Sequence, residues 1–200
     1  GVGLLGLGVV GQGVYEALHS RAAIYTRRGG RALEVRRIAV RDVTRRRDVE
    51  VDAALLHDDP FAVSVAPEIE IVVELMGGEQ PALDCIRAAL SAGKHVVTAN
   101  KEVMAKHGPE LLALAQEQGA ELQYEASVGG GIPIISPLKR DLQANEVQRI
   151  QGIVNGTTNF MLTTMAQDGV SYDEALAEAH RRGYAESDPT NDVEGIDAAY

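Results

Sequence analysis

Three glycines near the start of the chain, Gly6, Gly8 and Gly11, stand in the spacing G-x-G-x-x-G directly behind the apolar run Val2-Gly3-Leu4-Leu5. Glycines so spaced can hold a pyrophosphate. Gly6 permits a tight turn, Gly8 has no Cβ to keep phosphate off the backbone, and Gly11 lets the next helix lie close to the strand. That helix would aim unpaired N–H groups and the positive end of its dipole at the anion. Far along the chain stands a cation, Lys101 in Asn100-Lys101-Glu102, and near the end come the acids Glu186, Asp188, Asp192, Glu194 and Asp197. A lysine at the sheet edge that carries the glycine loop can serve as an active-site cation. The plainer alternatives are a surface lysine and a solvated acidic tail. A calcium loop is set aside, because the acids lack the central glycine and closing glutamate of an EF-hand.

The elements that must position these residues follow from the hydrophobic pattern. Val10, Val14, Ala17 and Leu18 share one face of a helix after the glycine turn, which gives the motif its strand–turn–helix context. Arg27 to Arg31 reads as a loop and Leu33 to Val40 as the second strand, ending at Arg41-Asp42. At such a strand end an acid binds the 2′-OH of NAD and an arginine accommodates the 2′-phosphate of NADP. Both are present here; Arg41 favours NADP, and NAD stays open. Residues 43–66 read as irregular. Ile69 to Leu75 is a buried-type strand leading into Gly77 and Gly78, which would line the cofactor. A helix from Pro81 to Ala92 stops at Gly93, His95 to Ala99 is a strand, Pro109 starts a helix that ends before Gly119, and Glu121 to Glu125 is a strand. The alternation amounts to a doubly wound parallel α/β sheet of Rossmann type. The glycine segment 129–131 and Pro133 mark a border, giving a dinucleotide-binding domain over 1–131 and the first part of an α+β substrate domain over 132–200. There the pattern predicts a helix through Ile134 to Leu142, a strand within 146–155, a helix from Gly156 to Met165, and a capping-box helix from Ser171 to Gly183.

Composition narrows the function classes. The 200 residues carry a net charge of −10, which argues against nucleic acid as partner, although residues 1–47 are strongly basic. No apolar run reaches the 18 residues of a membrane span. The single Cys85 cannot make an internal disulfide and fits a reducing, cytoplasmic compartment. The chain begins inside its first strand with no signal peptide, and reads as truncated.

Five ordered blocks together resemble homoserine dehydrogenases: Gly6 to Gly11, Thr98-Ala99-Asn100-Lys101, Glu125 to Pro133, Gly152 to Phe160, and Gly183-Tyr184-Ala185-Glu186-Ser187-Asp188-Pro189 through Asp197. The resemblance implies NAD(P)-dependent interconversion of L-homoserine and L-aspartate 4-semialdehyde on the route to threonine, isoleucine and methionine. It implies that Leu7, Val9 and Val10 touch the cofactor through the backbone, with Gly183 close to it. Lys101 would face the reacting oxygen beside the cofactor, Glu186 would hold the substrate ammonium, and Asp197 would sit near the substrate hydroxyl. A monovalent cation, sodium, would lie at Glu125 and the backbone oxygens of Val128, Gly130 and Ile132. The family's main acid/base lysine would fall just beyond Tyr200, so the 200 residues alone could bind cofactor without turnover. A homodimer or tetramer is implied at full length. The rivals are a non-catalytic dinucleotide-binding module and another Rossmann dehydrogenase acting on a small amino-acid-derived aldehyde.

Overall fold

All four residues of β1 (Val2–Leu5) are buried, as the central strand of a sheet covered on both faces requires. In the computed structural model, residues 1–185 and 188–200 are described, and the chain forms two compact units, Gly1–Pro137 and Leu138–Tyr200.

In the first unit β1 leads through the glycine turn to α1 (Val9–Ser20) and α2 (Ala22–Gly29). Then come β2 (Val35–Ala39), a short β3 (Leu56–His57), α3 (Pro60–Val65), β4 (Ile71–Glu74), α4 (Ala82–Ser91), β5 (His95–Thr98), α5 (Lys101–Glu117) and β6 (Leu122–Gln123). The six strands are all parallel, in the order β3-β2-β1-β4-β5-β6. The chain runs outward from β1 one way, returns, and runs outward from β4 the other way. This is the doubly wound Rossmann arrangement, and ligands bind at its reversal point, beyond the carboxyl ends of β1 and β4. Alternate residues feed two cores. Leu5, Val72 and Val96 pack with α3, α4 and α5, while Leu4, Ile38 and Val73 pack with Val14 and Leu18 of α1.

Several elements differ from the sequence expectations. Residues 22–29 are helical, including Arg27 and Arg28, and the left-handed Gly30 ends the helix. Residues 43–66 are not irregular throughout: Asp59 caps α3 by accepting from the N–H groups of Phe61 and Ala62, and Pro60 fills the first helical position. Pro109 does not start a helix. It lies inside α5, which starts eight residues earlier because the Asn100 side chain accepts from the Val103 N–H at 3.1 Å. The strand expected at 121–125 is confined to Leu122–Gln123, followed by a 3-10 turn over Glu125–Ser127.

In the second unit the expected strand within 146–155 does not form. Val147, Ile150, Ile153 and Val154 are exposed, and no strand is described beside them to complete a ladder. The helix expected over 134–142 forms over residues 135–141 at the border of the two units, with Pro137–Asp141 in π-helical geometry. Helix α6 (Gly156–Asp168) is capped by Asn155, and α7 (Tyr172–Arg182) carries the expected capping box and ends at left-handed Gly183. Two single-turn helices follow, α8 (Thr190–Val193) and α9 (Ile196–Ala199). A small core of Met161, Ala175, Ala179 and Ala185 holds α6 to α7.

Candidate active site

Each glycine of the opening motif has a distinct physical task. Gly6 has φ +105°, a conformation that side chains avoid. A Cβ on Gly11 would lie 2.3 Å from the Gly6 carbonyl oxygen, so helix and turn could not meet as they do. A Cβ on Gly8 would meet nothing within 4 Å; the space before it is open. No side chain caps α1 and its first turn holds no acid, so the helix supplies no counter-charge of its own at this positive end. Val9 and Val10 are 90% and 60% exposed there, whereas the Leu7 side chain is buried and leaves its backbone to the turn. An apolar rim around open N–H groups suits a dinucleotide.

The loop after β2 is tied to α1 by Gln12, whose Oε1 accepts from the Asp48 and Val49 N–H groups. The Asp42 carboxylate accepts from both the N–H (2.8 Å) and the hydroxyl (2.6 Å) of Thr44. These bonds hold Asp42 below the usual aspartate range and occupy it within its own turn. Arg41 is exposed beside it. Gln12 was not singled out from the sequence, because its partners are backbone groups more than thirty positions away.

Parallel pairing brings the carboxyl ends of β1, β2, β4 and β5 to one edge. The glycine turn, Arg41, Gly77 and Lys101 therefore share that edge. Gly77 and Gly78 are both left-handed and open. Lys101 is the first residue of α5, where a cation opposes the helix dipole. Behind it lie Glu74, Thr98 and Asn100, all buried and hydrogen-bonded to one another in sequence. Cys85 is buried in the middle of α4, and burial pushes its thiol up, away from the thiolate form that a nucleophile needs.

Glu125 accepts three backbone N–H bonds, from Ile134 (2.6 Å), Ile135 (2.9 Å) and Ser136 (2.7 Å). They hold the carboxyl below the usual glutamate range, with the Ser136 N–H the largest cause. The Ser136 side chain adds a further hydrogen bond to the same carboxylate, so its roughly four acceptor positions are engaged by the 134–136 segment. Gly129 and Gly130 nearby are left-handed, and Val128 and Ile132 flank them.

In the second unit Asn155 organises the acids. Its Nδ2 donates to Asp192 (2.8 Å) and to Asp197 (3.1 Å), while its Oδ1 accepts from the Thr158 N–H and hydroxyl. The Thr157 hydroxyl donates to the Tyr184 carbonyl just after Gly183, and Tyr184 stacks on Phe160. Glu186 lies outside the described residues. Among the described residues no cluster of three His, Cys, Asp or Glu side chains could hold a metal, and no helix is long and apolar enough to cross a membrane.

Comparison with known proteins matches the two parts of the chain to two family models. Residues 6–125 match the NAD binding domain of homoserine dehydrogenase, and residues 133–200 match homoserine dehydrogenase. Homoserine dehydrogenases from Synechocystis sp. and Pseudomonas aeruginosa are each 46% identical, over 99% and 100% of the chain. The chain spans 45% of the length of either relative. The crystal structure of a homoserine dehydrogenase from Thiobacillus denitrificans is 49% identical with a TM-score of 0.85, over 98% of this chain and 46% of that one. A hyperthermophilic archaeal homoserine dehydrogenase in complex with NADPH is 29% identical with a TM-score of 0.84, over 98% of this chain and 65% of that one.

Proposed function

The chain belongs to the homoserine dehydrogenase family, and from that premise we propose that the protein interconverts L-homoserine and L-aspartate 4-semialdehyde with a nicotinamide dinucleotide. One observation carries the reading: an uncapped helix terminus fit for a pyrophosphate and a lysine placed against a helix dipole share one sheet edge. A nicotinamide dinucleotide held there supplies the hydride acceptor for the alcohol and the hydride donor for the aldehyde. The chain's own residues bind and orient. Backbone N–H groups at Leu7 to Gly11 take the pyrophosphate, Gly77 leaves room beside it, and family likeness alone assigns Gly183 to cofactor binding. Lys101 meets the reacting oxygen, where its ammonium steadies alkoxide character and passes a proton. Glu186 holds the α-ammonium by opposite charge, and Asp197, oriented by Asn155, lies near the hydroxyl.

The preferred dinucleotide is NADP, since Asp42 is engaged by Thr44 and Arg41 stands exposed beside it. Sodium suits Glu125 and the carbonyls of Val128, Gly130 and Ile132, a set of hard oxygen donors with one negative charge. A cytoplasmic dimer or tetramer completes the proposal and rests on family likeness alone.

The test is the appearance of reduced nicotinamide when L-homoserine and NADP are added to the full-length protein. Turnover that requires the substrate amino group is the expected result. Tight NADP binding with no turnover would instead make the protein a dinucleotide-binding module.

A further inference from the structure

We infer that Glu74 is a positioning residue for this reaction, setting through Thr98 and Asn100 where α5 begins and hence where Lys101 stands. The inference rests on the reading of Lys101 given above. Glu74 ends β4, pairs with Leu5 and Thr98 on the neighbouring strands, and is fully buried. Its neighbours on that face of the sheet include Leu5, Val72 and Val96, so packing alone would call for another aliphatic residue. A buried carboxyl costs free energy unless its oxygens are matched.

They are matched in one direction. Oε1 accepts from the Met76 N–H at 2.8 Å, and Oε2 accepts from the Thr98 hydroxyl at 2.6 Å. The Thr98 proton is thereby committed to Glu74, and the lone pairs of the same hydroxyl accept the Asn100 N–H at 3.0 Å. Asn100 then works from both ends. Its Nδ2 donates to the Gly78 carbonyl at 2.7 Å, and its Oδ1 accepts the Val103 N–H, capping α5. Met76 and Gly78 belong to one turn, so the bonds close a ring through Met76, Glu74, Thr98, Asn100 and Gly78. The ring joins the glycine turn after β4 to the first turn of α5, and Ser127 braces it by donating to the Thr98 carbonyl at 3.2 Å. The spacing between the proposed cofactor turn and Lys101 is thus set before any ligand arrives.

Glu74→Gln reverses one end of the ring. An amide N–H would face the Thr98 hydroxyl, whose own proton would lose its acceptor. Thr98→Val keeps the shape and removes the hydroxyl, while Thr98→Ser keeps the hydroxyl. In the full-length enzyme, E74Q and T98V should each lower kcat by about tenfold while the KM values for homoserine and dinucleotide move less than about twofold. T98S should stay within about twofold of wild type. In a Lys101→Ala background, E74Q should cost less than about twofold, because the group it positions is gone. Equal fold-losses from E74Q in both backgrounds, or wild-type kcat in E74Q or T98V, overturn the inference. Should E74Q fail to fold, the T98V and T98S pair decides alone. Wild-type kcat in K101A refutes the reading of Lys101 itself and takes the inference with it; a normal K101A loss with an additive E74Q loss refutes only the inference.

Discussion

Gly8 and Gly11 sit three residues apart in one motif, yet they have different physical tasks. A methyl on Gly11 points into the Gly6 carbonyl, which is backbone and cannot move aside; a methyl on Gly8 points into open space. Gly11→Ala should therefore destabilise the protein by about 1–3 kcal/mol, read as a lower Tm. Gly8→Ala should leave Tm almost unchanged and weaken dinucleotide binding, read by titration. Equal effects of the two on Tm would show that the space before Gly8 belongs to the protein and not to a ligand. Arg41 gives a second residue-scale expectation. If its guanidinium meets the 2′-phosphate, Arg41→Ala removes a charge-assisted hydrogen bond worth about 1.5–3 kcal/mol, so KM for NADP should rise roughly 10- to 100-fold. KM for NAD should stay within about twofold. A parallel rise for both cofactors would place Arg41 against the adenine rather than the phosphate.

At the scale of elements, Glu125 shows one side chain fixing a bend in the chain. Its carboxylate gathers the N–H groups of Ile134, Ile135 and Ser136, the entry to the π-helical turn at Pro137–Asp141. Those bonds lower its folded pKa relative to the unfolded chain. The stabilisation they bring is thus present above the unfolded glutamate value, about 4.3, and fades as pH falls through the depressed folded value. Glu125→Gln keeps the shape but turns an amide N–H toward backbone donors. Its Tm should lie below wild type at neutral pH, and the gap should close as the pH drops below about 4. A gap that stays constant across that range would mean the charge is not what holds the bend.

Elements that depend on local signals could be read from the sequence. The capping box at Ser171 and Glu174, the glycine stops at Gly93 and Gly183, and the strand–turn–helix of the opening motif each need only a few adjacent residues. Misreadings came where two local signals compete. Pro109 read as a helix start, yet Asn100 caps the same helix eight residues earlier and the helix absorbs the proline. The pair Asp59-Pro60 was a legible start for α3, masked by the polar run around it. Glu74 could not have been singled out, since its partner Thr98 lies 24 positions away and only the β4–β5 register brings them together. The apolar residues at 147–154 read as a strand because periodicity reports a face to be covered and not whether a partner strand exists.

The two units of the molecule differ in how much core each holds. The first fills both faces of a six-stranded sheet, with Leu4, Leu5, Ile38, Ile86, Leu90 and Leu111 among its fully buried side chains. The second, Leu138–Tyr200, has among its described residues a buried apolar centre of Met161, Ala175, Ala179 and Ala185, with Phe160, Met165, Val170, Leu176 and Val193 partly buried against it. Burying a large aliphatic side chain contributes roughly 1.5–3 kcal/mol, and an alanine much less. A centre of three alanines and one methionine, ringed by half-buried side chains, therefore contributes far less than the two sheet cores of the first unit. Expressed alone, residues 1–137 should unfold in a single cooperative thermal transition and bind NADP. Residues 138–200 alone should show partial helicity that melts without a cooperative step, with the capping box keeping α7 the most persistent helix. Circular dichroism against temperature separates the two outcomes. A sharp transition in the shorter fragment would show that capping and the α6–α7 contact are enough to hold a fold, and that the exposed Ile150, Ile153, Val154 and Leu162 need no cover.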